Sequence, residues 1–458
     1  MRRKKLIIIA VAAIVILLSV VTIVQYEFYS PFPNNWQTSA VPGYISSAIF
    51  GKDAIYVLSQ TYMTPLNPTY NLFSVSKATG QINWESSNII TSGAASCCLL
   101  ESEPSTAPVI LYLFNNTLYA SYLNGGPENL NSYHILSYNL TSGVLENSYV
   151  YNSSDFQKYA DFGASIFPFG DSFILNYLIQ NGFNSSPSLG NETIFRVIQF
   201  KLSPTIEATS LQNITLTGTV DGWGTGDEQV SISDDKLVSI LDPYNKTIII
   251  NLDNNSFYEP NFVGNYLGVA GSNLFYSSAI SGENITVNIL DLETLQVIHT
   301  FSLKDPFYLA NTNYEIFPLT SSRIVLITSD CCVGAASSDR PSTVFQGFDV
   351  DGTSLWNITS LANSAGTFAF TYPLQSGEIL LGTMPGGYSY DSNYHSSFYV
   401  LNYTDGNLIS QKTYNFWVDY PSFKAPWWGP PPFNGVIATN GSLVLYKLGS
   451  SLALATVN

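Results

Sequence analysis

The four cysteines of this 458-residue chain come only as adjacent pairs, Cys97 with Cys98 in TSGAASCCLLES and Cys331 with Cys332 in TSDCCVGAASSD. The four are expected to form disulfides, each adjacent pair closing on itself or bridging to the other pair, and four cysteines allow three full connectivities. A metal site built from all four would need thiolates, which acid disfavours. Carboxylates that could serve as acid and base are Glu101, Glu103, Asp221, Asp227, Asp330, Asp339, Asp391 and Asp419. A glycosidase needs two such groups at a set separation, and solvated loop acids are far commoner. His134, His299 and His395 show no metal-ligand spacing, and no Gly-x-Ser-x-Gly elbow, HExxH or P-loop is present. The residues therefore assign no catalytic group and no metal.

A second cluster is aromatic. WVDYPSFKAPWWGPPPF (417–433) brackets Trp417, Trp427, Trp428 and Phe433 with prolines, and DGWGTGDEQ (221–229) carries Trp223. Such a segment can present a pre-ordered platform to a sugar or peptide. It can equally fold its aromatics inward as a plug.

What must position these residues begins with MRRKK and the apolar run LIIIAVAAIVILLSVVTIV, Leu6 to Val24. As a helix that run would extend about 28 Å, close to the bilayer hydrocarbon core. No A-x-A-like cleavage site follows it. The reading is a basic cytoplasmic stub (1–5), a single uncleaved transmembrane anchor helix (6–24), a linker (25–34) and an extracellular domain (35–458), oriented by the positive-inside rule. Twelve Asn-x-Ser/Thr sequons are candidate glycosylation sites on an exported chain: Asn115, Asn139, Asn152, Asn184, Asn191, Asn213, Asn245, Asn254, Asn284, Asn357, Asn402 and Asn440. Four of the 17 basic residues lie in MRRKK, leaving 13 against 33 acidic ones, which argues against a nucleic-acid partner. Charged residues are only 11% of the chain. A surface whose few charges are mostly carboxylates loses its self-repulsion in acid, so an acid-living, archaeal host is expected. A stability curve peaking at neutral pH would count against it.

Beyond the anchor, short β-branched and aromatic runs alternate with Gly, Asn, Asp, Ser or Pro, the all-β signature. One hairpin recurs: NLFSVSKATGQINW (71–84), HILSYNLTSGVLEN (134–147), TVNILDLETLQVI (286–298), FQGFDVDGTSLW (345–356) and FYVLNYTDGNLIS (398–410), with weaker copies at 194–208 and 247–259. Gly80, Gly143, Gly352 and Gly406 supply the positive φ of its turn. Each copy follows another hairpin, and two hairpins make one four-stranded blade. Eight first hairpins, seven full second hairpins and a lone last strand (451–458) predict an eight-bladed β-propeller, with seven blades as the alternative. A segment near NWQTSAV (35–41) would supply the missing fourth strand, closing the ring and leaving no sheet edge.

The repeat core L-x-x-x-x-x-x-T-G-x-x-x-W, best matched by Leu72, Thr79, Gly80 and Trp84 and then by Gly352 and Trp356, resembles that of the PQQ-like (quinoprotein-like) β-propellers. Other copies keep the glycine and replace the tryptophan with Asn147 or Ser410. The resemblance implies the propeller fold over nearly the whole extracellular part. Some quinoprotein dehydrogenases of this family set a vicinal disulfide against their cofactor, so the resemblance also raises PQQ with calcium as an alternative. The family's calcium carboxylate and Asn pattern finds no residue-by-residue match, and only Arg196, Arg323 and Arg340 lie outside the N-terminus.

In such a ring the connections fall on two faces. One set is uniformly short; the other, including 87–107, 123–132, 179–193, 211–226, 329–342, 384–396 and 414–433, is long and irregular. Both cysteine pairs and the aromatic cluster fall on the long set. The expectation is a non-catalytic cell-surface propeller docking a protein or glycan there. The alternative is an extracytoplasmic quinoprotein-type oxidoreductase or glycan-active enzyme at the channel mouth.

Overall fold

A computed structural model describes residues 34–456 except 65–66, 92–108, 127–128, 154–155, 157–158, 181–192, 203–204, 217–227, 234, 242–245, 261–264, 282–283, 305–311, 321–322, 331–342, 350, 359–366, 375–376, 386–394, 416–434 and 449–450. The run 6–24 lies outside the described residues, among which no helix is long and apolar enough to cross a membrane.

The chain opens on β1 (Asn34–Thr38). Blade one follows as β2 (Tyr44–Phe50), β3 (Ala54–Thr64), β4 (Asn67–Ser76) and β5 (Ile82–Thr91). Blade two is β6 (Ile110–Phe114), β7 (Thr117–Gly126), β8 (Asn129–Asn139) and β9 (Leu145–Tyr151). Blade three is β10 (Tyr159–Phe169), β11 (Ser172–Gln180), β12 (Thr193–Lys201) and β13 (Glu207–Leu216). Blade four is β14 (Glu228–Ser233), β15 (Lys236–Leu241), β16 (Lys246–Asn251) and β17 (Phe257–Tyr258). Blade five is β18 (Asn265–Ala270), β19 (Asn273–Ser281), β20 (Asn284–Asp291) and β21 (Gln296–Lys304). Blade six is β22 (Thr312–Thr320), β23 (Arg323–Asp330), β24 (Thr343–Asp349) and β25 (Ser354–Ile358). Blade seven is β26 (Thr367–Pro373), β27 (Glu378–Pro385), β28 (His395–Asn402) and β29 (Leu408–Asn415). Blade eight holds β30 (Gly435–Asn440), β31 (Leu443–Leu448) and β32 (Ser451–Thr456), and its fourth strand is β1.

Eight antiparallel sheets, each paired in simple up-and-down order, thus form the eight-bladed propeller expected from the hairpin count. The first strands of successive blades abut one another around the ring, from β30–β2 and β2–β6 to β18–β22, which makes them the innermost strands. The core lies between blades. Leu58, Leu72 and Trp84 of blade one pack with Leu118, Leu136 and Tyr138 of blade two, and the cluster built on Ile55, Phe73 and Leu454 joins blade one to blade eight.

Closure follows the predicted plan, over a slightly different stretch. β1 pairs antiparallel with β32, Asn34 opposite Ala455 and Thr38 opposite Leu452. The pairing covers an edge that would otherwise present unpaired N–H and C=O groups.

The recurring second hairpin has one local design. Its third strand ends on a residue whose side chain caps the following turn: Asn139 Oδ1 accepts from the amides of Thr141 and Ser142 (3.0 and 3.1 Å), and Asp291 Oδ1 from those of Glu293 and Thr294 (both 2.8 Å). Four residues on, the backbone turns left-handed and its N–H returns to the capping residue's carbonyl, as at Gly80, Gly143, Leu295 and Gly406. The glycine rule has an exception in blade five, where Leu295 takes φ 57°.

The glycine also receives the neighbouring blade. Trp36 of β1 lies on Gly80 of blade one, Trp84 of β5 on Gly143 of blade two, and Trp356 of β25 on Gly406 of blade seven. Each indole Nε1 donates to a carbonyl of the same turn: to Lys77 (2.8 Å), Leu140 (2.8 Å) and Tyr403 (3.2 Å). Register shows that the three tryptophans are equivalent, Trp36 opposite Leu454, Trp84 opposite Ser74 and Trp356 opposite Gly347, each facing the third strand two residues before its end. Blade five places His299 at this position, and Phe301, two residues on, covers Gly352 of blade six.

Where the tryptophan is absent the seam changes chemistry. Between blades two and three, Tyr133, Tyr149, Tyr151, Phe156, Tyr177 and Phe200 form an aromatic cluster with ring centroids 4.6–6.2 Å apart. Between three and four, Gln212 Nε2 donates to the carbonyl of Asn255 (2.6 Å), which holds φ 57° in the glycine's stead. Between four and five, Lys236 Nζ reaches Asp235 Oδ1 within its own blade (2.6 Å) and Glu293 Oε1 of blade five (3.2 Å).

The ammonium is nearly enclosed, its side chain 9% exposed against 26% for Asp235 and 61% for Glu293. Burial works against the Lys236 charge, but its bonds to Asp235 and Glu293 outweigh that and raise its pKa. Asp235 is held below 3.8, first by its hydrogen bond from Lys236. A depressed carboxylate stabilises the fold above its unfolded pKa, and the gain is lost as pH falls through the folded value. Asp235→Asn should therefore cost about 1–3 kcal/mol at neutral pH. The gap between wild type and variant should close below pH 3.8. Urea titrations of both proteins from neutrality into acid check this; a gap independent of pH refutes the role given to Asp235.

Candidate functional site

All connections from first to second and from third to fourth strand are tight, for example 51–53, 115–116, 170–171, 271–272 and 441–442 in the first set and 77–81, 140–144 and 403–407 in the second. The other face receives 92–109, 152–158, 181–192, 217–227, 331–342 and 416–434. The long-loop face is thus where the chain places most of its connecting residues. A blade is anchored at the core by its strands, so length added there costs little stability.

Cys97 and Cys98 fall between β5 and β6, and Cys331 and Cys332 between β23 and β24. Trp223 falls between β13 and β14, and Trp417, Trp427, Trp428 and Phe433 between β29 and β30. All of these lie outside the described residues, as do Asn184, Asn191 and Asn245. Their places in the strand order still put them on the long-loop connections.

The described sequons divide between the faces. Asn115, Asn139, Asn254, Asn402 and Asn440 stand at short turns; Asn152, Asn213, Asn284 and Asn357 stand toward the long-loop side. Asn115, Asn152, Asn213, Asn254, Asn357 and Asn440 are exposed. Three of the short-turn asparagines have their oxygen engaged in the turn itself: Asn139 as above, Asn254 with Ser256 N (2.9 Å) and Oγ (2.7 Å), and Asn402 with Thr404 N (2.8 Å).

Polar groups midway along the strands of blades two and three are set by cross-strand register. Tyr122 of β7 faces His134 of β8, their rings stacked at 4.7 Å and 11°. The His134 Nε2 meets Ser132 Oγ at 2.6 Å, and burial lowers the imidazole pKa, favouring the neutral ring. Next to them Tyr133, fully buried, shares a 2.5 Å hydrogen bond with Ser121 Oγ, and burial pushes its phenol up. In blade three Tyr177, Arg196 and Asn213 lie abreast across β11, β12 and β13. Arg196 Nε donates to Asn213 Oδ1 (2.7 Å), and burial raises the Tyr177 phenol to about 12. Tyr133, Tyr177 and Ser121 are fully buried and belong to the blade interior, so Asn213 and the half-buried Arg196 and His134 are the groups of this set that solvent reaches.

The two described arginines outside the N-terminus are bonded within the propeller. Arg196 stands on the third strand of its blade, bonded outward to Asn213. Arg323 begins β23 at the short-turn end, 3.4 Å from Asp349 and stacked over Tyr403 at 5.5 Å. Among the described residues no three His, Cys, Asp or Glu side chains converge as metal ligands.

The sequence patterns did not single out Trp36, Gln212 or Lys236. Trp36 could have been found as an isolated tryptophan within the segment already marked for closure; no repeat signal marks the other two.

No protein-family model and no curated protein sequence matches the chain. Solved structures do resemble it in architecture. A europium-containing methanol dehydrogenase aligns with a TM-score of 0.46 and 10% identity, covering 83% of this chain and 80% of that one. The WD40 domain of SCAP from fission yeast aligns with a TM-score of 0.45 and 10% identity over 92% of this chain and 94% of its own. A quinohemoprotein alcohol dehydrogenase from Comamonas testosteroni gives 0.41 and 9%, over 78% and 73%. These likenesses are of propeller architecture and carry nothing about activity.

Proposed function

We propose that this protein is a membrane-anchored, exported binding propeller that docks a protein or glycan on its long-loop face without catalysing a reaction. The observation that carries the reading is the asymmetry of the two faces. Every connection on one face is short, and most of its described turns are tied by backbone hydrogen bonds or side-chain caps, while the aromatic segment 416–434 and both cysteine pairs belong to connections of the other. Rigid scaffolds concentrate binding residues on such loops. Trp427 and Trp428 would be the anchoring aromatics, the sequons would carry glycans, and the cysteine pairs would stiffen the loops.

The test uses the full chain in detergent with surface glycans and surface proteins of its native host. Hydrogen exchange should slow in segments 92–108, 331–342 and 416–434 and stay unchanged in the short turns. Trp427→Ala with Trp428→Ala should weaken binding at least about tenfold, as for central interface aromatics. Protection confined to the short turns, or turnover of an alcohol with a co-purified quinone, would overturn the reading, the latter in favour of the oxidoreductase.

A further inference from the structure

The direction of one strand orients the whole propeller. β30 and β31 are joined at Asn440–Leu443, on the short-turn face, so β31 runs toward the long-loop face and β32 returns from it. β1 is antiparallel to β32, with Asn34 opposite Ala455 near its end and Thr38 opposite Leu452 near its start. β1 therefore begins at the short-turn face and climbs away from it, about 17 Å over its five residues. Whatever precedes Asn34 enters the ring from the short-turn side, at the seam between blades eight and one.

We infer that the short-turn face lies toward the lipid bilayer and that the long-loop face points away from it. This rests on reading residues 6–24 as a membrane anchor. Between that run and β1 lie only residues 25–33, QYEFYSPFP, which reach about 30 Å at full extension. Tyr26 and Tyr29 are of a residue type that favours the headgroup region, which shortens the free tether. The start of β1 is locked as well as short-tethered: Trp36 is buried on Gly80, and its indole bonds Lys77 of blade one. The partner of the short-turn face is thus a lipid surface, and the long loops are offered to the space beyond the membrane. The same geometry makes Asn115, Asn139, Asn254, Asn402 and Asn440 membrane-proximal, and Asn152, Asn213, Asn284 and Asn357 distal.

Two exposed alanines near the closing seam report the orientation. Ala78 lies in the short turn after β4, and Ala40 in the connection from β1 to β2 on the opposite face. A fluorophore carried on a non-natural side chain at either position is read against acceptor dye on lipid headgroups, using the full chain in liposomes. Transfer from position 78 should exceed that from position 40 several-fold, and a long Gly/Ser insert within 25–33 should erase the difference. Flotation of the chain with the liposomes is scored first. Failure to float overturns the anchor reading and the orientation with it. Flotation with equal or reversed transfer leaves the anchor standing and overturns the orientation alone.

Discussion

Gly80→Ala is expected to destabilise the propeller by about 3–5 kcal/mol, the range for losing a buried large aromatic's packing. Gly170→Ala should cost only about 1 kcal/mol, the penalty of a left-handed backbone for an L residue. The two glycines have comparable backbones, φ 72° and 56°. Their surroundings differ. A Cβ on Gly80 would stand 2.6 Å from Trp36 Cε3 and 2.7 Å from Cδ2, whereas one on Gly170 would meet nothing within 4 Å. The indole is rigid and held by its bond to Lys77 O, so it cannot tilt aside without giving up that bond. The added methyl therefore displaces the ring that joins blade eight to blade one. Equilibrium urea denaturation of both variants provides the comparison. Equal costs would show that the glycine is kept for its backbone alone.

The second large effect is at the other half of the same contact. Trp36→Ala removes a buried indole and should cost about 3–5 kcal/mol. Trp84→Ala removes an equivalent indole from the seam between blades one and two and should cost a similar amount. The consequences then part. β5, which carries Trp84, is tied by chain connectivity to its own blade, whereas β1 is joined by the chain to blade one and is held to its own blade eight only by pairing with β32 and by its packing. Freeing β1 bares the edge of β32 along Leu452 to Ala455, a template for pairing with another chain. Trp36→Ala should show faster amide exchange in β32 and self-association that grows with concentration, and Trp84→Ala should show neither. The view of β1 as the ring's staple is lost if Trp36→Ala shifts stability by less than about 0.5 kcal/mol, the level of an ordinary surface change.

Both predictions turn on contacts that no local pattern spells out. The turn after each third strand was legible because everything it needs lies within a few residues. A capping side chain such as Asn139 and the glycine four positions later act on backbone groups of that same turn. Hairpins so punctuated can be counted, which gives eight blades, the place of the closing segment and the division of connections into a short and a long set. The cysteine pairs and Trp417, Trp427 and Trp428 are assigned to the long set by strand order alone.

Pairings between blades were decided only by the assembled ring. Trp36 meets Lys77 across 41 positions, Trp84 meets Leu140 across 56, and Lys236 meets Glu293 across 57. Trp36 escaped the repeat pattern because the ring closes within its blade. Its partner strand β32 lies at the far end of the chain, so no Thr-Gly precedes it at the usual distance. His299 stands at the tryptophan register of blade five while Phe301, two residues on, covers the glycine of blade six, although the pairing shift beside His299 is the one also found beside Trp84 and Trp356. The sequence by itself determined the blades, since turn chemistry acts over a few residues and alternation over a strand. The tertiary structure decided how each seam is sealed, with an indole, an aromatic cluster, an amide or an ion pair, because that choice depends on side chains brought together by the closure of the ring.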